Sequence, residues 1–429
     1  MQLEFINRQA ELKELDAAFA AGGLLVLFGR RRIGKTRLLN HWLEHSKPGS
    51  KRQIRMYSQA IEAGTPIQIE QVFNDIKGNL DTVLTPRTWA ELFEIVSLAK
   101  KPFVLCLDEF QYLVASDKSL PSVLQRWIDH KLPQKALLIL AGSSTRMMHD
   151  LVLNRSAPLY GRARKILSVR PMGYRAFCEA CNLDRSALDS ITKFSLVGGV
   201  PKYWEFIGSK TTSLQLAEEL FFGLSPYLDG EPARILKDED FGGATPLSLL
   251  EAVGRGAHRP SEVAARLNTP QTNLSRLFEQ LIDASILKRE LPFGESPRST
   301  KRTLYTIQDP TLRFWFSTFS PHRTRWRGYT KTGKEKLLHD HASTVFEDLW
   351  RNQYPDASRY WEKDIEFDLV RENTKKSAVV GEIKLKLLSA SDQAQLLKTL
   401  ELNWNRCALK HRYRSVKFEL FDLKTSDRL

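Results

Sequence analysis

Residues 24–36 combine an apolar strand pattern with a basic loop bounded by glycines, Leu-Leu-Val-Leu-Phe-Gly-Arg-Arg-Arg-Ile-Gly-Lys-Thr. The spacing G-x-x-x-x-G-K-T is typical of a loop that binds the phosphates of a nucleotide. Gly29 and Gly34 allow a turn in which consecutive N–H groups point at phosphate oxygens, and the helix that follows adds its positive end. We expect Lys35 to reach the β- and γ-phosphates and Thr36 to ligate Mg²⁺, so the predicted cofactors are ATP and Mg²⁺. The predicted nucleotide-binding residues of this loop are Gly29, Arg30, Arg31, Arg32, Ile33, Gly34, Lys35, Thr36 and Arg37.

A second apolar run ends in two carboxylates. Residues 103–107 are apolar without alternation, which is typical of a parallel strand buried on both faces, and Asp108 and Glu109 follow directly. The carboxyl ends of such strands form the sheet edge at which ligands of open α/β folds bind. We therefore predict that Asp108 holds Mg²⁺ through water and that the catalytic Glu109 orients or deprotonates the attacking water.

Two further catalytic candidates follow later strands. Ser143 and Ser144 come after the apolar run 136–141, where a hydroxyl would lie between the metal carboxylates and the γ-phosphate; Gly/Ser composition is equally typical of an ordinary loop. Arg162 has the position of an arginine that is supplied across a subunit boundary and stabilises the charge developing in phosphoryl transfer. A surface arginine is the alternative for Arg162.

Length and composition limit the class of protein. The 429 residues suggest roughly three domains, and 42% hydrophobic with 27% charged residues is typical of a soluble globular protein. No segment has the roughly 18 apolar residues of a membrane span, and the first residues lack the layout of a signal peptide. We expect a cytoplasmic protein without membrane association. Four cysteines are too few for a disulfide framework, and the pair Cys178 and Cys181 lacks a second pair for structural zinc.

The order of elements predicts an α/β fold at the N-terminus and a helical region after it. Strands are predicted at 24–28, near 52–58, at 103–107, 136–141 and 166–169, with helical patterns between them. This alternation favours a parallel sheet. Residues 170–235 form short helical patterns around a turn at 198–201 and resemble a helical lid.

From residue 245 the pattern changes to three helices followed by two strands, which is the order of a winged helix. The third helix would be amphipathic. It would present polar side chains to a DNA groove, namely Thr272, Asn273, Ser275, Arg276 and Gln280. Winged helices also act as spacers or protein contacts, so both roles stay open.

The net charge of +14 is concentrated in residues 297–336. This basic segment contains ten Lys or Arg residues against Asp309 and Glu335. Trp326 and Tyr329 lie among the charges, a composition that suits phosphate backbones with optional base stacking. A solvated basic face is the alternative. The cations are Arg298, Lys301, Arg302, Arg313, Arg323, Arg325, Arg327, Lys331, Lys334 and Lys336.

The last hundred residues contain a possible second metal site. Glu347 lies on a predicted helix, Asp368 on an alternating strand, and Glu382 and Lys384 on the next strand, where a spacing of two points them the same way. Two carboxylates and a lysine that converge could bind Mg²⁺ and activate water for phosphodiester cleavage. Carboxylate oxygens more than about 8 Å apart could not share a metal whose ligands lie at roughly 2.0–2.1 Å. Alternating charges on a half-exposed strand are the alternative.

With these parts in order, the chain resembles the archaeal-type ATPase family, a branch of the AAA+/STAND group of P-loop ATPases. The matching stretches are 5–12, 29–36, 107–113, 141–144, 159–162 and 198–203. The resemblance implies that Asn7, Arg8 and Glu11 lie near the adenine side of the nucleotide. The C-terminal part resembles an uncharacterised domain often fused to this ATPase and similar to PD-(D/E)xK nucleases, although no proline precedes Asp368.

These observations predict an α/β protein with a P-loop parallel sheet, a helical lid, a winged helix and a C-terminal α/β nuclease-like domain. The predicted domains are residues 1–169, 170–240, 241–310 and 311–429, in that order. The leading functional hypothesis is an ATP-hydrolysing AAA+-like protein that engages DNA through the winged helix and the basic segment, with a homo-oligomer in the ATP state. The alternatives are a STAND-like nucleotide switch that binds partner proteins and an ATP-gated DNA nuclease.

Overall fold

The computed structural model of the protein describes residues 4–45, 54–100, 102–152, 154–296 and 302–429. The chain forms two compact units. The N-terminal unit comprises residues 4–171 and 235–242, and the C-terminal unit comprises residues 172–234 and 243–429. The short stretch 235–242 therefore belongs to the N-terminal unit although the residues on both sides of it belong to the other unit.

A five-stranded parallel sheet forms the centre of the N-terminal unit. The strands are β1 (Gly23–Phe28), β2 (Ile54–Gln59), β3 (Phe103–Asp108), β4 (Leu137–Gly142) and β5 (Ala163–Ser168). Their order across the sheet is β2-β3-β4-β1-β5, and all four neighbouring pairs are parallel. The predicted α/β fold with a parallel sheet is confirmed.

Edge position explains where the strand predictions were less accurate. The strands β3 and β4 are buried along their whole length, so their unbroken apolar runs were easy to recognise. In contrast, β5 is an edge strand of mixed burial that begins at Ala163, three residues before the predicted start. Arg164 and Lys165 interrupt its apolar pattern because they lie on this partly solvated edge.

Within the described part of this unit, seven helices accompany the sheet. They are α1 (Gln9–Ala21), α2 (Lys35–His45), α3 (Thr65–Ile76), α4 (Trp89–Ser97), α5 (Phe110–Ser116), α6 (Leu120–His130) and α7 (Thr145–Val152). Their apolar faces pack on the strands in a continuous core that includes Trp89, Phe93 and Trp127. At the start of α4, the Thr88 side chain accepts a hydrogen bond from the Glu91 N–H at 3.2 Å and caps the helix.

The C-terminal unit is helical at first and ends in a mixed sheet. Its helices are α8 (Tyr174–Cys181), α9 (Leu188–Val197), α10 (Pro201–Trp204), α11 (Ser213–Ala217), α13 (Thr245–Gly254), α14 (Pro260–Arg266), α15 (Gln271–Asp283), α16 (Pro310–Phe314), α17 (Ser320–His322), α18 (Lys331–Asn352) and α19 (Ala390–Arg406). The helix α12 (Glu231–Asp238) has its first four residues in this unit and its last four in the N-terminal unit. After α15, the strands β6 (Leu287–Glu290) and β7 (Leu304–Ile307) form an antiparallel pair. Among the described helices, none has the length and apolar character needed to cross a lipid bilayer.

The mixed sheet of the C-terminal unit has the order β11-β10-β9-β8. Its strands are β8 (Ser358–Glu362), β9 (Ile365–Thr374), β10 (Ser377–Ile383) and β11 (Ser415–Phe421). The pair β10 and β11 is parallel and the other pairs are antiparallel. This topology places β9 and β10 side by side, so the carboxylates predicted on the two strands lie on neighbours.

The basic segment does not form one solvent-facing surface. Trp326 is buried and stacks on Phe222 with ring centroids 3.7 Å apart. The prediction that this ring can stack on nucleic-acid bases is therefore wrong. The Arg313 side chain forms an ion pair with Asp348 at 2.8 Å and is mostly buried. Arg298 and Lys301 lie outside the described residues. Five of the remaining cations are exposed, namely Arg323, Arg325, Arg327, Lys331 and Lys336.

Candidate functional site

The basic loop joins β1 to α2 and depends on its two glycines. A Cβ on Gly29 would lie 2.3 Å from the Val169 carbonyl oxygen, so no side chain fits at this position. Gly34 has a φ of 92°, which glycine adopts at little cost, and the space beside it is open. The loop thus turns at Gly34 directly into the N-terminus of α2, which begins at Lys35.

Lys35 is folded onto this loop. Its ammonium donates hydrogen bonds to the carbonyl oxygens of Gly29 at 2.7 Å and Arg30 at 3.0 Å. The side chain is 5% exposed, and burial lowers the pKa of Lys35 although the nearby carboxylates of Asp108 and Glu109 oppose the shift. A buried ammonium at the mouth of a glycine loop fits an anionic ligand such as a nucleotide phosphate.

The side chains of Thr36 and Asp108 meet at the position where a divalent cation would bind. The Thr36 hydroxyl donates to Asp108 Oδ2 at 2.7 Å, and the Tyr57 hydroxyl donates to the same oxygen at 3.0 Å. Burial and the Asp108 charge raise the pKa of Tyr57, so its hydroxyl stays a donor. A hydroxyl and a carboxylate side by side are oxygen ligands of the kind that Mg²⁺ prefers, so these residues fit the metal.

Glu109 lies one residue further, at the junction of β3 and α5, with a φ of 53°. Its Oε2 atom accepts hydrogen bonds from the Ser143 hydroxyl at 2.8 Å and from the Gln111 amide at 2.5 Å. The structure therefore brings together Glu109 and Ser143, which the sequence placed near one edge of the sheet. Gln111 was not predicted as a site residue, although it lies in the stretch 107–113 that contributes to the family resemblance.

Arg8 is tied to the loop from the other side. Its buried guanidinium donates to the carbonyl oxygens of Ile33 at 3.0 Å and Arg170 at 2.9 Å, and pairs with Glu11 at 2.6 Å. The Asn7 side chain accepts from the Arg8 backbone N–H at 2.9 Å. These contacts position the loop backbone between α1 and the end of β5; a role for Asn7 and Arg8 at the adenine remains a prediction.

The stretch 235–242 contributes two carboxylates to the same edge. Glu239 is 2% exposed and accepts from the N–H groups of Thr145 at 3.1 Å and Arg146 at 3.0 Å, which are the first residues of α7. Burial raises the pKa of Glu239. The neighbouring Asp238 pairs with Arg31 of the loop at 3.4 Å. Neither contact was predicted, because both join residues more than ninety positions apart in the chain.

Arg162 is held within the N-terminal unit. Its guanidinium forms a bidentate ion pair with Asp129, in which Nε lies 2.9 Å from Oδ1 and Nη2 lies 2.8 Å from Oδ2. The remaining donor bonds the carbonyl oxygens of Pro158 and Tyr160. Arg162 would have to leave Asp129 to reach a nucleotide in a neighbouring subunit, so its catalytic role remains a prediction.

A second cluster lies in the C-terminal unit, in a cavity of about 730 Å³. The Lys384 ammonium is 2.6 Å from Glu382 Oε1 and 3.7 Å from Asp368 Oδ2. The two distances add up to 6.3 Å, the largest separation these two oxygens can have. Burial, followed by the charge of Asp368, raises the pKa of Glu347 to about 7 and also raises the pKa of Glu382. The four predicted residues therefore do converge.

The cluster is arranged around cations of the chain itself. Lys384 lies between the two carboxylates, and the Arg351 guanidinium bonds Glu347 at 3.3 Å and the Asp368 carbonyl oxygen at 2.9 Å. Within the described residues, no three His, Cys, Asp or Glu side chains are arranged to hold a metal ion.

The N-terminal unit has the architecture of a P-loop nucleotidase: a parallel sheet, a phosphate-binding loop after β1, and a carboxylate pair after the buried strand β3. Residues 5–210 match the model of a family described as an ATPase domain predominantly from Archaea. This part of the chain is therefore similar to that ATPase family.

Relatives with similar sequences come from Methanocaldococcus jannaschii. The uncharacterized protein MJECL04 is 25% identical over 416 residues, which cover 92% of this chain and 91% of the relative. The uncharacterized ATP-binding protein MJ0423 is 42% identical over 45 residues, which cover 10% of this chain and 76% of the relative. Among solved structures, the Walker-type ATPase PABY2304 of Pyrococcus abyssi is 19% identical, with a TM-score of 0.53 over 73% of this chain and 96% of that chain. This likeness supports the fold.

Proposed function

We propose that the N-terminal unit binds ATP with Mg²⁺ and hydrolyses it. The observation that carries the proposal is the meeting of Lys35, the Thr36–Asp108 pair and Glu109 at one end of the sheet. In this proposal Lys35 leaves the loop carbonyls for the phosphates, while Thr36 and Asp108 hold the metal. Mg²⁺ held by these two residues would supply positive charge that stabilises the negative charge developing on the phosphates during transfer.

Glu109 is the proposed general base of this reaction. Its carboxylate lies next to the proposed metal ligand Asp108, with one oxygen anchored and the other accepting no hydrogen bond from the described residues. A water molecule held by that second oxygen would attack the γ-phosphorus and lose its proton to Glu109. Ser143, bonded to the anchored oxygen, is proposed to sense the γ-phosphate.

The proposal is tested by phosphate release from ATP. Purified protein should release phosphate from ATP when Mg²⁺ is present. Excess EDTA should stop the reaction, because it chelates the Mg²⁺ that Thr36 and Asp108 are proposed to bind. Adding back Mg²⁺ should restore the rate. Hydrolysis that continues unchanged in EDTA would show that the metal assignment is wrong, and absence of hydrolysis in all conditions would leave only a nucleotide-binding switch.

The C-terminal unit is proposed to act on DNA. The helices α13–α15 followed by β6 and β7 have the order of a winged helix, and α15 exposes the polar residues Thr272, Asn273 and Arg276. Arg323, Arg325 and Arg327 are exposed and close together in sequence, which suits a phosphate backbone. We retain the four predicted domains, with a lid, a winged helix and a nuclease-like end, as part of this proposal.

DNA binding by this unit should depend steeply on salt. Replacing Arg323, Arg325 and Arg327 together by glutamine should reduce the slope of log K against log salt by up to about 2.7, because each lost phosphate contact contributes roughly 0.9. Fluorescence anisotropy of a labelled duplex measures the slope. The matched control replaces three exposed lysines of the same unit, Lys210, Lys398 and Lys424. Equal slopes for both triple variants and the parent would remove this surface from the proposal.

Nuclease activity is a second candidate, favoured by the convergence of Asp368, Glu382 and Lys384. The same duplex incubated with Mg²⁺ or Mn²⁺ reports cleavage on a gel, and Asp368→Asn should abolish any cleavage by removing a metal ligand. DNA that stays intact with both metals, while binding persists, would assign the cluster a structural or binding role only.

A further inference from the structure

Gln111 is a buried amide at the second position of α5, two residues after Glu109. Its Nε2 donates to Glu109 Oε2 and also to the Ser143 hydroxyl at 2.8 Å. Its Oε1 accepts from the Ser143 backbone N–H at 3.3 Å. Both ends of the amide are therefore committed to Glu109 and to the end of β4.

The surrounding packing confines this side chain. A Cβ on Gly142 would lie 2.9 Å from Gln111 Oε1 and 2.8 Å from the Met148 sulfur, so the absence of a side chain at Gly142 makes room for the amide. Gln111 is thus held between β4 and α7, with little freedom to choose other partners. By comparison, the half-buried Gln71 of α3 donates to a backbone carbonyl oxygen, that of Gln59 at 2.9 Å.

The bonds to Glu109 are asymmetric. Oε2 accepts from Gln111 and Ser143, whereas Oε1 accepts no hydrogen bond from the described residues. The backbone of Glu109 has a φ of 53°, a conformation that few non-glycine residues adopt, and its carbonyl oxygen accepts a hydrogen bond from the Tyr112 N–H at 2.9 Å. The carboxylate is therefore anchored by one oxygen, and the other oxygen is left to meet a ligand or water.

From this geometry we infer that Gln111 is a positioning residue for hydrolysis, which holds the proposed base Glu109 so that Oε1 faces the attacking water. The inference rests on the proposed function. In the step it serves, the water oxygen forms a bond to the γ-phosphorus, the bond to the β-phosphate oxygen breaks with its electron pair leaving on ADP, and the water proton passes to Glu109. Gln111 touches neither phosphate nor water and acts through Glu109.

The test is a double-mutant cycle with ATP turnover as readout. Gln111→Leu should lower kcat roughly 10- to 100-fold, because a positioned general base contributes roughly 10²–10⁴-fold and this variant loses part of that contribution. The KM for ATP should change less than about threefold. In a Glu109→Gln background, measured by single turnover with radiolabelled ATP, the same change should alter the residual rate less than about twofold. The control Gln71→Leu should turn over like the parent.

A second variant guards against misfolding. Gln111→Glu keeps the size of the side chain and the acceptor for Ser143, but it replaces the amide that donates to Glu109 by a carboxylate. This variant should hydrolyse ATP as slowly as Gln111→Leu and bind ATP like the parent. Additive losses in the cycle, or a kcat for both variants within twofold of the parent, would overturn the positioning role while ATP hydrolysis stands. If instead the parent does not hydrolyse ATP, or Glu109→Gln turns over at the parental rate, the proposed function itself is wrong.

Discussion

Replacing Lys35 by alanine should weaken ATP binding by at least about 100-fold, which corresponds to roughly 2.7 kcal/mol. The Lys35 ammonium donates hydrogen bonds to the carbonyl oxygens of Gly29 and Arg30 and is buried in the loop that we propose binds the phosphates. Charge-assisted hydrogen bonds to phosphate are stronger than neutral ones, and alanine removes all of them. Calorimetric titration with ATP measures the loss.

The matched control for this variant is Lys118→Ala, because Lys118 is an exposed lysine of the same unit. It should bind ATP like the parent. A Lys35→Ala protein that binds and hydrolyses ATP at the parental level would show that the loop is not the nucleotide site. A thermal melt of both variants separates lost binding from lost folding.

Glu109→Gln should keep ATP binding within about threefold and lower turnover by roughly 10²–10³-fold. Glutamine has the shape of glutamate and still offers Ser143 an acceptor, but it cannot take a proton from water. Because the phosphate cradle of Lys35 and Thr36 is untouched, the loss should appear in kcat alone. Phosphate release under saturating ATP measures it.

Glu70→Gln is the control, since Glu70 is an exposed glutamate on α3 and its neutralisation leaves the sheet edge unchanged. It should turn over like the parent. Equal kcat values for Glu109→Gln and the parent would exclude Glu109 as the base, and a large loss of binding in Glu109→Gln would mean that the carboxylate supports the nucleotide rather than the chemistry.

Contacts within one segment of chain were predictable from the sequence. Lys35 and Thr36 follow a strand directly, and Asp108 ends another, so local patterns identified all three. The convergence of Asp368 with Glu382 was also predictable, since strands that follow each other closely tend to pair. Between residues 245 and 307, the amphipathic patterns predicted three helices and two strands, which is the order in the structure.

Several contacts between distant segments were not predicted. The bond of Gln111 to Ser143 requires that β3 and β4 be neighbours, and hydrophobic periodicity does not encode which strands are adjacent. Glu239 reads as one of several charges after a helix, yet it is buried at the start of α7. Trp326 looked exposed from its basic neighbours, whereas Phe222, about a hundred positions earlier, covers it.

The return of residues 235–242 to the N-terminal unit makes that unit discontinuous in sequence. Residues 172–234 are an insertion in its chain, and the carboxylates of Asp238 and Glu239 lie beyond the insertion. A fragment that stops at residue 171 or 210 would lack the groups that bond Arg31 and the first turn of α7. The nucleotide-binding unit therefore cannot be excised, or exchanged by recombination, as one uninterrupted stretch of gene.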